Sequence, residues 1–222
     1  MPARPQTPPV AIRSVRHDPA DRPFLVIWEA TRACALACVH CRAEAITDRD
    51  PAELSTDEAT ELMAQVRSFG SPPPIFVITG GDPFERPDLF ELVRRGRALG
   101  LPVAVSPSGT EKLNRAALAD LRDAGATAVS LSIDGASAEV HDGFRQIPGT
   151  FDRTLAAWRM AQQVGLKVQV NTTLGVHNLN QLPDLIALVS RQQAMTWSIF
   201  LLVPMGRGSD LDTLTPEVVE DV

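Results

Sequence analysis

Several features that identify common protein classes are scarce in this chain of 222 residues. Its apolar runs are short, such as 24–28 and 199–203, whereas a membrane-spanning helix needs about 20 apolar residues. The chain has no dense block of lysine and arginine, and its formal net charge is −6. An acidic chain of this kind is a poor candidate for a nucleic-acid binder. We therefore expect neither a membrane nor a nucleic acid as a partner.

Two common nucleotide-binding motifs are also missing from the sequence. There is no G-x-x-x-x-G-K-[ST] phosphate loop and no G-x-G-x-x-G turn after a predicted strand. Their absence argues against a kinase, an NTPase or a dehydrogenase. Residues 1–22 are rich in proline and arginine but lack the apolar stretch of a secretory signal. They predict a flexible arm and a cytoplasmic location.

Cysteine is confined to one short segment, which contains Cys34, Cys38 and Cys41 in the spacing C-x3-C-x2-C. An odd number of cysteines in a single cluster argues against a disulfide framework. The pattern favours thiolates that surround an inorganic centre in a reducing compartment. The segment comes directly after the first predicted strand, and the carboxyl ends of parallel strands are where α/β folds place their sites.

Short apolar segments alternate with helical patterns along residues 23–222, which predicts one α/β core domain with a parallel sheet. The spacing suits either an open doubly wound sheet or an incomplete (β/α) barrel. The apolar run at the first strand predicts burial on both of its faces. Because residue 222 falls just inside a helix start, a further C-terminal extension is expected. The predicted strands are 24–31, 75–79, 103–106, 128–133, 167–173 and 197–203, and the predicted helices are 55–69, 87–99, 114–124, 150–164 and 182–193.

Three thiolates suit two kinds of inorganic centre. A structural zinc site needs four ligands, so His40 would have to complete the set from within the same loop. A [4Fe–4S] cluster normally takes four cysteines, so three would leave one iron without a protein ligand. Such an iron accepts a chelating small molecule, for instance the amine and carboxylate of an amino acid.

The cysteine spacing resembles the signature of radical S-adenosylmethionine (radical SAM) enzymes. The flanking segments 28–33 and 42–43 are similar to the haem-maturation and peptide-maturation (SPASM-type) subgroup. The resemblance implies a partial (β/α)6 TIM-like barrel, with 23–222 as the radical SAM core domain. It also implies a [4Fe–4S] cluster whose fourth iron is chelated by the methionyl amine and carboxylate of SAM. The implied iron ligands are Cys34, Cys38 and Cys41.

Further SAM contacts are expected at the ends of the predicted strands. The Gly-Gly-Asp-Pro segment 80–83 resembles the Gly-Gly-Glu-Pro element of the family, with aspartate in place of the usual glutamate. Alternation places Ser130, Ser132 and Asp134 on one face of a strand. In the family an arginine in the position of Arg145 often pairs with the SAM carboxylate. The expected contacts are His40, Gly80, Gly81, Asp82, Ser106, Ser132, Asp134, Arg145 and Asn171.

The resemblance implies an oxidoreductase or modifying enzyme that cleaves SAM reductively to a 5′-deoxyadenosyl radical. That radical would remove hydrogen from a peptide or a tetrapyrrole in a maturation pathway. An external electron donor of the flavodoxin or ferredoxin type would supply the low-potential electron. Two other functions stay open at this point. One is a non-catalytic barrel with a structural zinc loop, and the other is a cluster-based electron carrier without SAM.

Overall fold

Six parallel strands form one sheet in the part of the chain that the computed structural model describes, residues 18–221. Most of the expected arm, 1–22, therefore lies outside the described residues. The strands are β1 (Leu25–Thr31), β2 (Ile75–Gly80), β3 (Val103–Val105), β4 (Ala128–Ser132), β5 (Lys167–Leu174) and β6 (Thr196–Leu201). The helices are α1 (Thr56–Arg67), α2 (Leu89–Ala98), α3 (Arg115–Ala124), α4 (Ala138–Arg145), α5 (Thr150–Gln163), α6 (Leu182–Gln192) and α7 (Pro216–Glu220).

The strand order is β1-β2-β3-β4-β5-β6, so every strand pairs with its neighbours in the sequence. A doubly wound sheet reverses its order at a switch point, and no reversal occurs here. The order is that of a (β/α) barrel with six units. No pairing between β1 and β6 is found within residues 18–221, which leaves both strands as edges. The expected partial barrel is confirmed.

The helices pack on one face of the sheet, where they enclose the main hydrophobic core. Phe76 and Ile78 of β2 and Trp158 of α5 are fully buried there. The N-terminal caps of two helices lie where the sequence predicts them. Ser55 and Glu58 form the predicted capping box of α1. The side chain of Asn114 accepts a hydrogen bond from the Ala117 N–H in the first turn of α3.

The prediction that β1 is buried on both faces is wrong. Val26 and Trp28 pack against the helix-side core, whereas Leu25, Ile27 and Glu29 are exposed on the opposite face. The physical reason is the open barrel, because no element among residues 18–221 covers the inner face of this edge strand. β6 shows the same behaviour, with exposed large apolar side chains on its length.

Helix α4 is a further difference from the sequence-based expectation, which places no helix between β4 and α5. Ser137 caps its first turn by accepting from Val140 N–H, and Gln146 ends it in a left-handed conformation. The helix brings His141, Phe144 and Arg145 to the carboxyl end of the sheet. In the described part of the chain, no helix is long and apolar enough to cross a membrane.

Candidate active site

A cavity of about 480 Å³ opens at the carboxyl ends of the strands. Its wall includes Ile27 of β1 and Phe200 of β6, although these strands are the two edges of the sheet. The sheet is therefore curved around the cavity. Thr79 of β2 and Ser132 of β4 lie on the wall between the edges. This is the end of a (β/α) barrel at which active sites are built.

The three cysteines follow β1 and all line this cavity. Cys34 and Cys38 are buried, and Cys41 is half-buried. The Leu36 N–H donates to Cys34 Sγ at 3.4 Å, and the Ala45 N–H donates to Cys41 Sγ at the same distance. Backbone donors of this kind stabilise a thiolate. Burial raises the pKa of the Cys34 thiol, so metal binding at Cys34 must displace a proton.

Gly80 and Gly81 place the end of β2 in direct contact with the chain that leads into the cysteine loop. The Gly81 N–H donates to the Thr31 carbonyl at 2.7 Å. A Cβ added at Gly81 would lie 2.3 Å from the carbonyl oxygen of Ala33, which is impossibly close. The Gly81 carbonyl accepts from the Ser108 hydroxyl at 2.7 Å. The glycine pair lines the cavity, and close backbone packing is what requires glycine there.

Asp82 and Asp134 are expected from the sequence to contact SAM, but both side chains lie behind the cavity wall. Each is fully buried, and neither lines the cavity. Asp82 accepts from the Thr110 hydroxyl at 2.7 Å and from the Phe84 N–H at 3.2 Å, which caps a short 3₁₀ helix. Burial raises the pKa of its carboxyl. Its role in this structure is to hold neighbouring backbone in position.

Asp134 forms a buried ion pair with Arg145, whose guanidinium lines the cavity. The Thr173 N–H also donates to Asp134 Oδ1 at 2.7 Å. Burial by itself would raise the pKa of Asp134, but the attraction of Arg145 outweighs it and holds the pKa below its usual value. A second nitrogen of Arg145 lies 3.7 Å from Cys38 Sγ. Asp134 thus positions a cation beside one of the cysteines.

The segment after β6 contacts the cysteine loop directly. The Arg207 Nε donates to the Cys38 carbonyl at 3.1 Å, and the Arg207 backbone N–H donates to the Cys41 carbonyl at the same distance. A Cβ at Gly206 would lie 2.5 Å from that Cys41 oxygen. In the structure Gly206 therefore allows close approach of the cysteine loop.

His40, which lies within the cysteine loop, forms a stack of three rings with Phe144 and His177. Its imidazole is parallel to Phe144 at a centroid distance of 4.0 Å, and Phe144 stacks on His177 at 3.7 Å. Burial, followed by the repulsion of Arg145, lowers the pKa of His40 to about 4. The imidazole is therefore neutral at pH 7. The sequence contains no signal for this stack, since the three residues come from separate segments.

Polar side chains of the middle strands complete the wall of the cavity. Ser106, Ser132 and Asn171, which the sequence predicts as SAM contacts, all line it. Asn171 Oδ1 accepts from the Gln169 side chain at 2.8 Å. His141 also lines the cavity, and sequence reasoning does not select it because it predicts no helix there. The alternation of β1 is a signal that could have identified Glu29 as a further wall residue.

The residues present fit a [4Fe–4S] cluster with SAM as its additional ligand. Three thiols line one cavity, and the sequence has no fourth cysteine that could serve as a further ligand of a [4Fe–4S] cluster. Two cavity residues have buried polar atoms without a protein partner, namely His40 Nδ1 and Arg145 Nε. Buried polar atoms require a partner, and a bound polar molecule supplies one. The three thiols surround the cavity without forming a site for a single ion, because among residues 18–221 no group of three or more His, Cys, Asp or Glu side chains could hold one metal ion.

Comparison with known proteins supports the same assignment. Residues 28–189 match the Radical SAM superfamily, which uses a [4Fe–4S] cluster and SAM. The AdoMet-dependent heme synthase of Oleidesulfovibrio alaskensis is 44% identical over 200 residues, which cover 89% of this chain and 51% of that protein. The mycofactocin maturase MftC of Mycobacterium ulcerans is 34% identical over 206 residues, which cover 91% of this chain and 54% of that protein.

Solved structures show the same fold. SuiB of Streptococcus suis bound to S-adenosylmethionine superimposes with a TM-score of 0.75 and 14% identity, covering 90% of this chain and 48% of SuiB. The chain spans about half the length of the curated relatives it matches. The superfamily match and the identity to the heme synthase favour the radical SAM interpretation over a zinc-binding barrel. The chain belongs to the Radical SAM superfamily.

Proposed function

We propose that this protein is a radical SAM enzyme that modifies a tetrapyrrole. The observation that carries the proposal is the convergence of Cys34, Cys38 and Cys41 on a cavity whose wall also holds unpartnered polar atoms. Support for the substrate comes from the relatives, because the AdoMet-dependent heme synthases of Oleidesulfovibrio alaskensis and Methanosarcina barkeri are 44% and 40% identical to this chain. A peptide is the second candidate substrate, which the identity to the mycofactocin maturase favours.

When bound, the cluster and SAM together supply a 5′-deoxyadenosyl radical, which removes a hydrogen atom from an unactivated C–H bond. The protein positions the reactants and excludes water. We assign Arg145 to the SAM carboxylate, because its Nε has no hydrogen-bond partner in the protein while its Nη2 forms the ion pair with Asp134. Ile27 and Phe200 provide apolar surface at the edges of the cavity.

We also assign Ser132 and Asn171 to the nucleoside of SAM. Both side chains line the cavity at the carboxyl ends of β4 and β5, where neutral hydrogen-bonding groups suit ribose hydroxyls and the adenine edge. His40 presents a neutral imidazole stacked on Phe144, which provides a flat surface for a further ring. Gly80 and Gly81 line the same wall, and we assign their backbone to the methionyl ammonium, which backbone carbonyls there would hold by hydrogen bonds.

The proposed reaction requires a low-potential electron, which the described residues do not themselves generate. We propose an external donor of the flavodoxin or ferredoxin type. All three cysteines are free thiols in the structure, which suits a reducing compartment, and we propose the cytoplasm. Residues 23–222 are proposed to form the radical SAM core domain of the protein.

The experiment that tests the proposal is anaerobic reconstitution with iron and sulfide, followed by incubation with SAM and dithionite. We expect a brown protein that releases 5′-deoxyadenosine. Cys38→Ala should abolish that product, because two thiolates cannot hold the cluster in place. Gly143→Ala is the matched control, since a Cβ at Gly143 meets nothing within 4 Å. A colourless wild-type protein, or one that leaves SAM intact, would refute the proposal.

A further inference from the structure

The charge of the cavity differs in sign from the charge of the chain. The chain carries a formal net charge of −6. The charged side chains on the cavity wall are three arginines and one glutamate, namely Arg42, Arg145, Arg207 and Glu29. A cavity that is more positive than the protein around it attracts anions. The question is which of the three arginines is available to a ligand.

Two of the arginines are already engaged with the cysteine loop. Arg145 pairs with Asp134 and lies beside Cys38 Sγ, and Arg207 donates to the Cys38 carbonyl. The thiolates of the loop bring negative charge to this wall once a metal is bound, and these two cations offset it. Their positions therefore belong to the site already described.

Arg42 is different, since its side chain makes no hydrogen bond to the backbone in the described part of the chain. It forms an ion pair with Glu29, and the two side chains are 61% and 40% exposed. Exposed pairs of this kind contribute little free energy because water screens them and both side chains lose rotamer freedom. A carboxylate from a ligand can therefore replace Glu29 as the partner of Arg42 at little cost.

The surroundings of this pair are apolar. Ile27 precedes Glu29 by two residues on the same face of β1 and is 59% exposed. Phe200 and Val203 lie at the opposite edge of the cavity and are 54% and 61% exposed. Large apolar side chains at a cavity mouth favour an apolar ligand body. The mouth thus combines two apolar edges with one available guanidinium.

We propose that Arg42 binds a carboxylate of the substrate and that Glu29 competes with that carboxylate for the guanidinium. The substrate body lies between the apolar edges formed by Ile27 of β1 and Phe200 of β6. This assignment rests on the proposed function, since it names the substrate subsite of the same cavity. It predicts opposite effects for the two members of one ion pair. A pair that only attached the cysteine loop to β1 would weaken the site when either member is changed.

The test is equilibrium binding of iron coproporphyrin III, which carries four carboxylates, to the reconstituted full-length protein. Arg42→Gln should weaken binding about 3- to 5-fold, the effect of losing one ion pair at a largely exposed guanidinium. Glu29→Gln should tighten binding about 2- to 5-fold, because an exposed competing pair is removed. The tetramethyl ester of the same porphyrin should bind more weakly than the free acid, and equally well to wild type and Arg42→Gln.

Arg94→Gln is the matched control, because Arg94 forms a similar exposed ion pair on the outer helix α2 and is 56% exposed. It should bind the porphyrin as the wild type does. Weaker binding by Glu29→Gln would overturn the proposal, as would unchanged binding by Arg42→Gln or equal binding of the ester and the acid to wild type. A wild-type protein that cleaves SAM but binds no porphyrin would also overturn it. A wild-type protein that does not cleave SAM would instead refute the proposed function.

Discussion

Replacing Asp134 by asparagine should destabilise the protein strongly, because it leaves Arg145 as an uncompensated cation. Asp134 is fully buried, and the side chain of Arg145 is only 14% exposed. Removing one partner of a buried pair costs about 3–5 kcal/mol. We expect the lower part of that range, about 3 kcal/mol, since Arg145 reaches the cavity and the introduced amide oxygen would still accept from the Thr173 N–H.

The assay is urea unfolding of the metal-free protein, followed by circular dichroism. With a slope of about 2 kcal/mol per molar urea, a loss of about 3 kcal/mol moves the midpoint down by about 1.5 M. Arg145→Gln should cost a similar amount, because it leaves the Asp134 carboxylate buried without its cation. The double variant should lose clearly less than the sum of both, with a coupling free energy of about 2–3 kcal/mol.

Two results would refute this reasoning. Additive losses in the double variant would show that the two side chains act independently, which contradicts the buried ion pair. Single losses below about 1 kcal/mol would show that water reaches the pair and screens it, as at an exposed site. A changed urea slope would indicate an altered unfolded or native state, so the slopes of wild type and variants must agree.

Two further predictions concern pH and the segment after β6. Burial lowers the pKa of His141 to about 4, so the unfolded chain binds a proton between pH 6.5 and 4 that the native protein does not. The stability that His141 contributes is therefore complete above about pH 6.5 and falls by about 2 kcal/mol at pH 5, and His40, whose pKa is lowered equally, adds a loss of about the same size. Urea titrations at several pH values measure the total, and a His141→Gln variant whose stability depended on pH as steeply as that of the wild type would contradict this assignment. Gly206→Ala should lower the iron bound per protein, because its Cβ would collide with the Cys41 carbonyl, whereas Gly143→Ala should not. Equal iron contents would show that Gly206 is not needed to position the loop.

Local features of the fold are predictable from the sequence because they depend on neighbouring residues. The Ser55–Glu58 capping box and the Asn114 cap lie where expected, since a cap requires only the first turn of its own helix. Helix α4 is missed, although Ser137 caps it in the same way. Its glycine at position 143 interrupts the apolar periodicity on which the prediction relies.

The site is predictable where closely spaced residues contribute ligands and less so where residues contribute through packing. The three cysteines are identified because their spacing alone brings three thiols into one loop. Asp82 and Asp134 are expected on the cavity wall, yet both are behind it. Alternation along a strand indicates the face of a residue only while the strand continues, and Asp134 lies two residues beyond the end of β4.

The sequence by itself determined the alternation of strands and helices, the positions of several caps and the three-thiol loop, because each of these depends on residues close together in the chain. Only the tertiary structure decided that the strands follow in consecutive order, that β1 and β6 do not pair with each other within residues 18–221, and that Arg207 contacts the cysteine loop. These features depend on contacts between residues far apart in the sequence, as between Arg207 and Cys38. No local pattern encodes which distant partner a strand edge or a guanidinium will meet.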